Sequence, residues 1–245
     1  MKDETHTVMN RVKTGITGLD DIIGGGYPEG TNILVTGPSG TGKTTFCFQY
    51  LYSGLQDYDE NGIYVTLEER PEDLRSEMSS LGWNAREFEN EKRLVIIDAA
   101  SARYGLPTKR EYTLPTRFDV DSLLIYIHRV SQQINAKRLV IDSLSSLELQ
   151  VNSTNHVRRT IYRLSSLLLK TGLTSLLTSE SIGYPRISRY GIEEFICRGV
   201  IILDLEENGN DLKRTIRVLK MRGIKHTLRK LPFEIQENGI TIFAH

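Results

Sequence analysis

The chain has 245 residues, with thirty-one basic side chains against thirty-one acidic ones and no formal net charge; that length suits one sizeable α/β domain, and the balance removes the whole-chain signature of a protein that coats nucleic acid. Its two cysteines, Cys47 and Cys197, have neither metal-ligand spacing nor a disulfide pattern, which fits small core residues in a reducing compartment. A polar start, and no stretch approaching ~18 consecutive apolar residues, exclude a secretory leader and a membrane span, so a soluble cytoplasmic protein is expected.

The first patterned stretch runs from Thr14 to Gly30. Ile16, Leu19, Ile22 and Ile23 have helical spacing, and Gly24 to Gly26 followed by Pro28 end the turn abruptly, which predicts a short helix on a sheet edge within an N-terminal cap segment, 1–30. The apolar run Asn32 to Thr36 then reads as a buried strand. It leads through Gly37-Pro-Ser-Gly-Thr-Gly-Lys-Thr-Thr45 into a helical stretch from Phe46. Strand, glycine loop and helix in that order are what a phosphate loop requires. Glycines let the backbone wrap a phosphate so that N–H groups point inward, and the helix start adds positive partial charge. Pro38, Ser39, Gly40, Thr41, Gly42, Lys43, Thr44 and Thr45 are therefore the candidate nucleotide-binding residues. Lys43 is placed to reach the β- and γ-phosphates, and the Thr44 hydroxyl to sit on Mg²⁺.

Gly62 to Leu67 is a second strand, ending in Glu68 and Glu69. Pro71 suits the first position of a helix whose opening turn carries Glu72 and Asp73. Carboxylates at the C-terminal end of a strand beside a phosphate loop suit a base for the water that attacks the γ-phosphate. The alternative is that both acids serve the helix dipole. Neighbouring strand residues face opposite ways, so only one of the pair is expected to point at the phosphate, with Glu68 first. Arg93 to Ala99 is a third strand, followed by an irregular polar region over 100–118. Asp119 to Ile134 is an amphipathic helix capped by Asp119 or Asp121, with His128 a structural residue within it. Arg138 to Ser143 is an apolar strand that runs into Asp142, the expected holder of Mg²⁺ through water. A helix from Ser153 closes at Gly172. The strand from Leu173 to Glu180 then puts Ser179 and Glu180 at the same sheet edge, as γ-phosphate sensors or as a plain strand end.

The chain changes period after a core spanning 31–205. Gly199 to Leu205 and Lys213 to Arg222 read as strands joined through Glu206 to Asn210, and Phe233 to Phe243 as a hairpin on an Asn238-Gly239 turn. From Leu212 to Pro232 there are many basic residues and no acid. Lys220 and Arg222, two apart on one strand, are expected on one face, as a cationic finger toward a neighbour's phosphates, as a solvated pair, or as partners of Glu206 or Glu207.

Taken together, these stretches resemble the KaiC-like branch of the RecA superfamily over essentially the whole chain. The resemblance rests on Thr14 to Asp20, Gly37 to Thr45, Glu68-Glu69, Gly82-Trp83 and Ile141-Asp142-Ser143. It continues through Thr178 to Glu180, Ser188 to Phe195, Leu219 to Gly223 with His226, Pro232-Phe233 and Asn238-Gly239. It implies a single RecA-like α/β domain over 1–245, with a mostly parallel twisted sheet flanked by helices and antiparallel C-terminal strands in 206–245. It further implies ATP bound with Mg²⁺ between subunits of a ring, usually a hexamer. Glu68 and Glu69 take its catalytic carboxylate positions, and Ser80 and Leu81 fall near the adenine. Lys220, Met221, Arg222, Ile224 and His226, with Gln236 and Glu237, fall where a neighbouring subunit contacts the nucleotide. Glu193-Glu194 stands where two-domain clock members carry a phosphorylated Ser-Thr pair, so autophosphorylation there is not expected. Because the sequence ends at His245, soon after the last strand, a tail through which such members meet a regulator is not expected. The expected function is a slow ring-forming regulatory ATPase with its own copies and an unidentified protein as partners. The alternative is a recombination accessory protein on single-stranded DNA, which balanced charge and the lack of an aromatic-basic stripe disfavour.

Overall fold

A computed structural model describes residues 10–103, 111–114, 119–150, 154–183 and 186–243. Near its start, β1 (Arg11–Val12) pairs antiparallel with β2 (Tyr27–Pro28) around α1 (Leu19–Ile22). The unbroken apolar runs then fold as parallel strands covered on both faces. In β3 (Asn32–Gly37), β4 (Gly62–Thr66) and β5 (Leu94–Asp98) every residue is buried. Between them lie α2 (Lys43–Asp57), α3 (Pro71–Ser80) and α4 (Ala85–Asn90). Pro71 is the first helical residue of α3, as its fixed φ predicts.

After β5 come α5 (Ala100–Arg103), α6 (Val120–Gln133), β6 (Arg138–Asp142), a 3₁₀ segment over Leu144–Gln150, α7 (Thr154–Thr171) and β7 (Thr174–Glu180). Asp119 is the cap of α6, accepting from the Ser122 amide at 2.7 Å, while His128 is exposed. The chain finishes with α8 (Glu193–Ile196), β8 (Gly199–Asn208), β9 (Asp211–Met221), β10 (Leu231–Gln236) and β11 (Gly239–Ile242).

The main sheet has nine strands in the order β11-β10-β9-β8-β3-β7-β6-β4-β5. From β8 to β5 the pairings are parallel, and from β8 to β11 antiparallel. One face packs α2, α3 and α4 through Phe46, Tyr50, Leu51, Leu74, Met78 and Phe88. The other packs α6 and α7 through Leu123, Ile127, Ile161, Leu164 and Leu168. Each such side chain contributes roughly 1.5–3 kcal/mol on full burial. Cys47 and Cys197 are buried in these cores, as small apolar residues. The pairings set Gly37 beside Glu180 and Thr66 beside Asp142, so one sheet edge collects the ends of four strands. That edge is where open α/β sheets bind ligands.

Five local expectations change. β4 stops at Thr66, so Glu68 and Glu69 lie in a bend, where strand alternation has no hold on them. The 100–118 region begins with α5 and returns to the sheet edge, where Thr113 bridges Asp98; its residues 104–110 and 115–118 lie outside the described residues, as does Ser153. β8 and β9 extend to a tight turn at Gly209-Asn210. The final hairpin turns on Glu237-Asn238, with Gly239 already paired to Gln236 at φ +107°. β9 ends at Met221, so Arg222 stands in a turn and does not share a strand face with Lys220.

Candidate nucleotide site

The phosphate loop closes against its own sheet. A Cβ on Gly37 would fall 2.1 Å from the Leu203 carbonyl oxygen of β8, so only glycine lets the loop leave β3 there. Thr41 is fully buried and its hydroxyl donates to the Pro38 carbonyl at 2.9 Å, which makes it a brace of the loop. At the start of α2, Gly42 is left-handed. A Cβ on it would sit 2.7 Å from the Ile235 side chain, so the β10–β11 hairpin leans on the loop of its own subunit.

Lys43 folds back on the loop, its ammonium donating to the carbonyls of Gly37 and Pro38 at 2.9 Å each. Burial pushes its pKa down, against the nearby charges of Asp142, Glu180 and Glu68. Thr44 donates to Asp142 Oδ2 at 2.9 Å, and Asp142 also accepts from Tyr64 at 2.6 Å and from Thr178. Hydroxyls from α2, β4 and β7 thus fix one carboxylate at the end of β6. The Tyr64 hydroxyl is pushed well up by burial and by Asp142, which keeps it a neutral donor.

Both acids after β4 reach the same cavity of about 420 Å³ as Lys43 and Asp142. Glu68 is exposed, and its Oε1 accepts from Ser143 at 2.6 Å and Ser146 at 2.5 Å. Glu69 is half-buried, and among the described residues its buried Oε2 has no hydrogen-bond partner. Burial first, then the charges of Glu77, Asp142, Glu68 and Asp73, push its carboxyl up to about 7. Glu77 of α3 and Glu180 complete an acidic wall, so the described lining holds five carboxylates against the single ammonium of Lys43. Ser39, Gly40 and Thr45 line the opposite side. Ser179 turns away from the cavity and donates to Glu193 at 2.9 Å.

The other candidates lie outside this cavity. Ser80 and Leu81 end α3, and the Ser80 hydroxyl donates to the Glu77 carbonyl at 2.6 Å. Met221 is only 4% exposed and Ile224 packs on the same core, so the Met221 side chain is not available to a neighbour. Lys220 donates to the Glu194 carbonyl, not to Glu206 or Glu207. Arg222 is exposed; His226 lines a separate surface hollow with Asp21, Lys225 and Arg229. Gln236 and Glu237 are exposed at the hairpin tip.

Sequence reading missed Glu77, Ile235 and Arg214. Arg214 of β9 brings a guanidinium to the Gly40 carbonyl at 3.4 Å, so a second cation does stand beside the loop. The place of Glu77 on the helix that directly follows Glu68 and Glu69 held the first signal; the other two needed the docking of β9 and the hairpin on the loop.

A family model described as "ATPase: KaiC" matches residues 12–245. The chain is 40% identical over 237 residues to UPF0273 protein MJ1359 of Methanocaldococcus jannaschii, covering 96% of this chain and 97% of that protein. It is 38% identical over 239 residues to the circadian clock oscillator protein KaiC of Synechococcus elongatus, covering 97% of this chain and 45% of that protein; it thus spans about half the length of the clock proteins it matches. The crystal structure of the KaiC-like protein PH0186 from Pyrococcus horikoshii superposes with a TM-score of 0.84 at 46% identity, covering 96% of this chain and 99% of that one.

Proposed function

The chain belongs to the KaiC family of ATPases, and from that membership and the cavity at the strand edge we propose that it binds ATP with Mg²⁺ and hydrolyses it slowly in a ring, usually hexameric, whose interfaces complete each site. The observation that carries this reading is the convergence of Lys43, Thr44 and Asp142 at the start of a 15-residue helix. The first amides of α2 have no intrahelical acceptors and suit phosphate oxygens, with Ser39 to Thr45 around them. Lys43 then exchanges two loop carbonyls for the β- and γ-phosphates, and Ser80 and Leu81 flank the adenine.

The Thr44 hydroxyl and the Asp142 carboxylate are hard oxygens 2.9 Å apart, a donor set that fits Mg²⁺. Held there, the ion would offset charge on the β- and γ-phosphates. Glu68 takes the proton of the attacking water, since Ser143 and Ser146 both hold its Oε1 and leave Oε2 open. Glu69 is the second candidate, and Glu180 borders the γ-phosphate.

Five acidic side chains face one ammonium in the cavity, and even with Arg189 3.5 Å from Glu180 and the Glu69 carboxyl raised to about 7, this lining opposes a triphosphate. Two like charges 4 Å apart repel by about 1 kcal/mol in water and about 4 at an effective dielectric near 20. Beyond the Mg²⁺ ion, positive charge from outside the cavity would favour the nucleotide, and Arg214 at the loop rim is part of it. A neighbour's Lys220 and Arg222 supply the rest, with its Ile224, His226, Gln236, Glu237 and the Met221 backbone around the nucleotide. Hydrolysis would then change ring shape and the affinity for a protein partner.

The test is phosphate release from ATP with and without Mg²⁺. Lys43→Ala is expected to lose nucleotide binding or turnover, and Glu68→Gln to keep binding while losing roughly 10²–10⁴-fold in rate. Full turnover by Glu68→Gln moves the base to Glu69; full turnover by Lys43→Ala contradicts the reading.

A further inference from the structure

Glu193 is 0% exposed, and nothing in the proposed hydrolysis uses it. A carboxylate out of water costs several kcal/mol unless it is fully hydrogen-bonded, and this one is. Its Oε1 accepts from the Ser179 hydroxyl at 2.9 Å and the Tyr190 amide at 3.2 Å, and its Oε2 from the Ile192 amide at 3.1 Å and, 2.9 Å away, from the Ser188 hydroxyl, which it shares with the Glu194 carboxylate. These donors, from the end of β7 and from residues 188–192, leave it one position. One of them, Ser179, is the residue before Glu180 at the cavity.

The carboxylate opens α8, which is only four residues long. So short a helix has little stability of its own, and its placement is dictated by what anchors it. The next residue, Glu194, presents its carbonyl to the Lys220 ammonium. Lys220 is half-buried, and burial together with the Arg222 charge pushes its pKa down. An ammonium so placed needs a fixed acceptor to stay where it is, and without one its long stem returns it to water.

We propose that Glu193 is a positioning residue for Lys220: its saturated carboxylate sets α8 so that the Glu194 carbonyl holds the Lys220 ammonium where a neighbouring subunit's nucleotide meets it. The inference rests on the shared-site reading of the preceding section. It predicts that damage to Glu193 is felt at the neighbour's site and spares the site of its own subunit. A second route leads inward, because the Tyr190 hydroxyl donates to the Ser145 carbonyl at 2.7 Å and Ser145 Oγ accepts from the Glu180 amide at 2.9 Å. That route would place the damage in the same subunit, and the two outcomes are separable.

The experiment measures ATP turnover in rings co-assembled from two variants. Glu193→Gln puts an amide N–H₂ where donors now point, and alone it is expected to fall ~10-fold or more, toward the level of Lys220→Ala. Mixed with Glu68→Gln subunits it regains activity, because some interfaces join an intact Glu68 to a correctly held Lys220. A Lys220→Ala and Glu68→Gln mixture is the reference, and the two mixtures are expected to regain a similar share. Where Glu193→Gln does not assemble, Ser188→Ala, which removes the hydroxyl that Glu193 shares with the Glu194 carboxylate, is read in the same way. The proposal is overturned if the reference mixture regains activity and the Glu193→Gln mixture does not, or if Glu193→Gln or Lys220→Ala alone turns over ATP as the wild type does. Failure of both mixtures overturns the shared site itself, and this inference with it.

Discussion

Glu69 gives the nucleotide-free protein a pH-dependent stability of definite sign. Its carboxyl moves from the ordinary 4.5 to about 7, first by burial and then by the charges of Glu77, Asp142, Glu68 and Asp73. The folded chain therefore keeps a proton that the unfolded chain releases. The contribution is fully present below pH ~4.5, declines between ~4.5 and ~7, and is lost above ~7. At 1.36 kcal/mol per unit the whole shift corresponds to about 3 kcal/mol; because the side chain is half-buried and water screens its neighbours, about 1–2 kcal/mol is expected. In a chain of this length that is a change of ~3–6 °C in Tm. The assay is thermal unfolding without nucleotide from pH 5 to 8, for the wild type, Glu69→Gln and Glu77→Gln. The Tm of Glu69→Gln minus that of the wild type is expected to grow across pH 5–7, since glutamine stays neutral throughout. Glu77→Gln removes the neighbouring charge that raises the carboxyl most, so the loss of stability with rising pH is expected to be smaller and to end at a lower pH. A Glu69→Gln difference that stays constant from pH 5 to 8 refutes the reasoning.

Two further outcomes are expected. Arg214→Ala frees the Gly40 carbonyl from a long, exposed hydrogen bond, so ATP affinity falls only ~2–5-fold; the loss stays in the same subunit, and full rescue by mixed assembly would contradict the placement of Arg214 on its own loop. Single-stranded DNA is expected to bind weakly and through charge alone, fading steeply as salt rises to ~0.2 M; a salt titration with a labelled oligonucleotide checks it, and tight ATP-dependent binding at that salt would favour the recombination reading.

The phosphate edge was legible in the sequence because its signals are local. A strand, a glycine loop and a helix fix Lys43 and Thr44 within a few residues, and Asp142 ends a short apolar run that reads as a strand within the alternating βα pattern. Unbroken apolar runs marked the parallel core for the same reason. Strand ends were read less well. Alternation puts Glu68 and Glu69 on opposite faces and Lys220 and Arg222 on one, yet the ladder stops at Thr66 in one place and at Met221 in the other. Where pairing stops is a property of the partner strand and not of the local residues. The Asn238-Gly239 turn shifted by one residue, because Gly239 pairs with Gln236 and the chain reverses over Glu237-Asn238. Arg214 and Ile235 reach the loop from 174 and 193 residues along the chain, and no local pattern encodes such a contact. Glu193 reads in the sequence as one acid of a pair, and its buried hydrogen bonds appear only in the fold.

The most direct test of the central claim, an ATP site completed between subunits, is turnover in rings mixed from Arg222→Ala and Glu68→Gln chains. Each variant alone is expected to be nearly inactive, since a cationic finger and a base are each worth ~10²-fold or more in rate. The mixture is expected to recover part of the wild-type rate, through interfaces that pair an intact Glu68 with a neighbour's intact Arg222. Normal hydrolysis by Arg222→Ala alone, or a wild-type chain that turns over ATP as a monomer at micromolar concentration, would contradict the account.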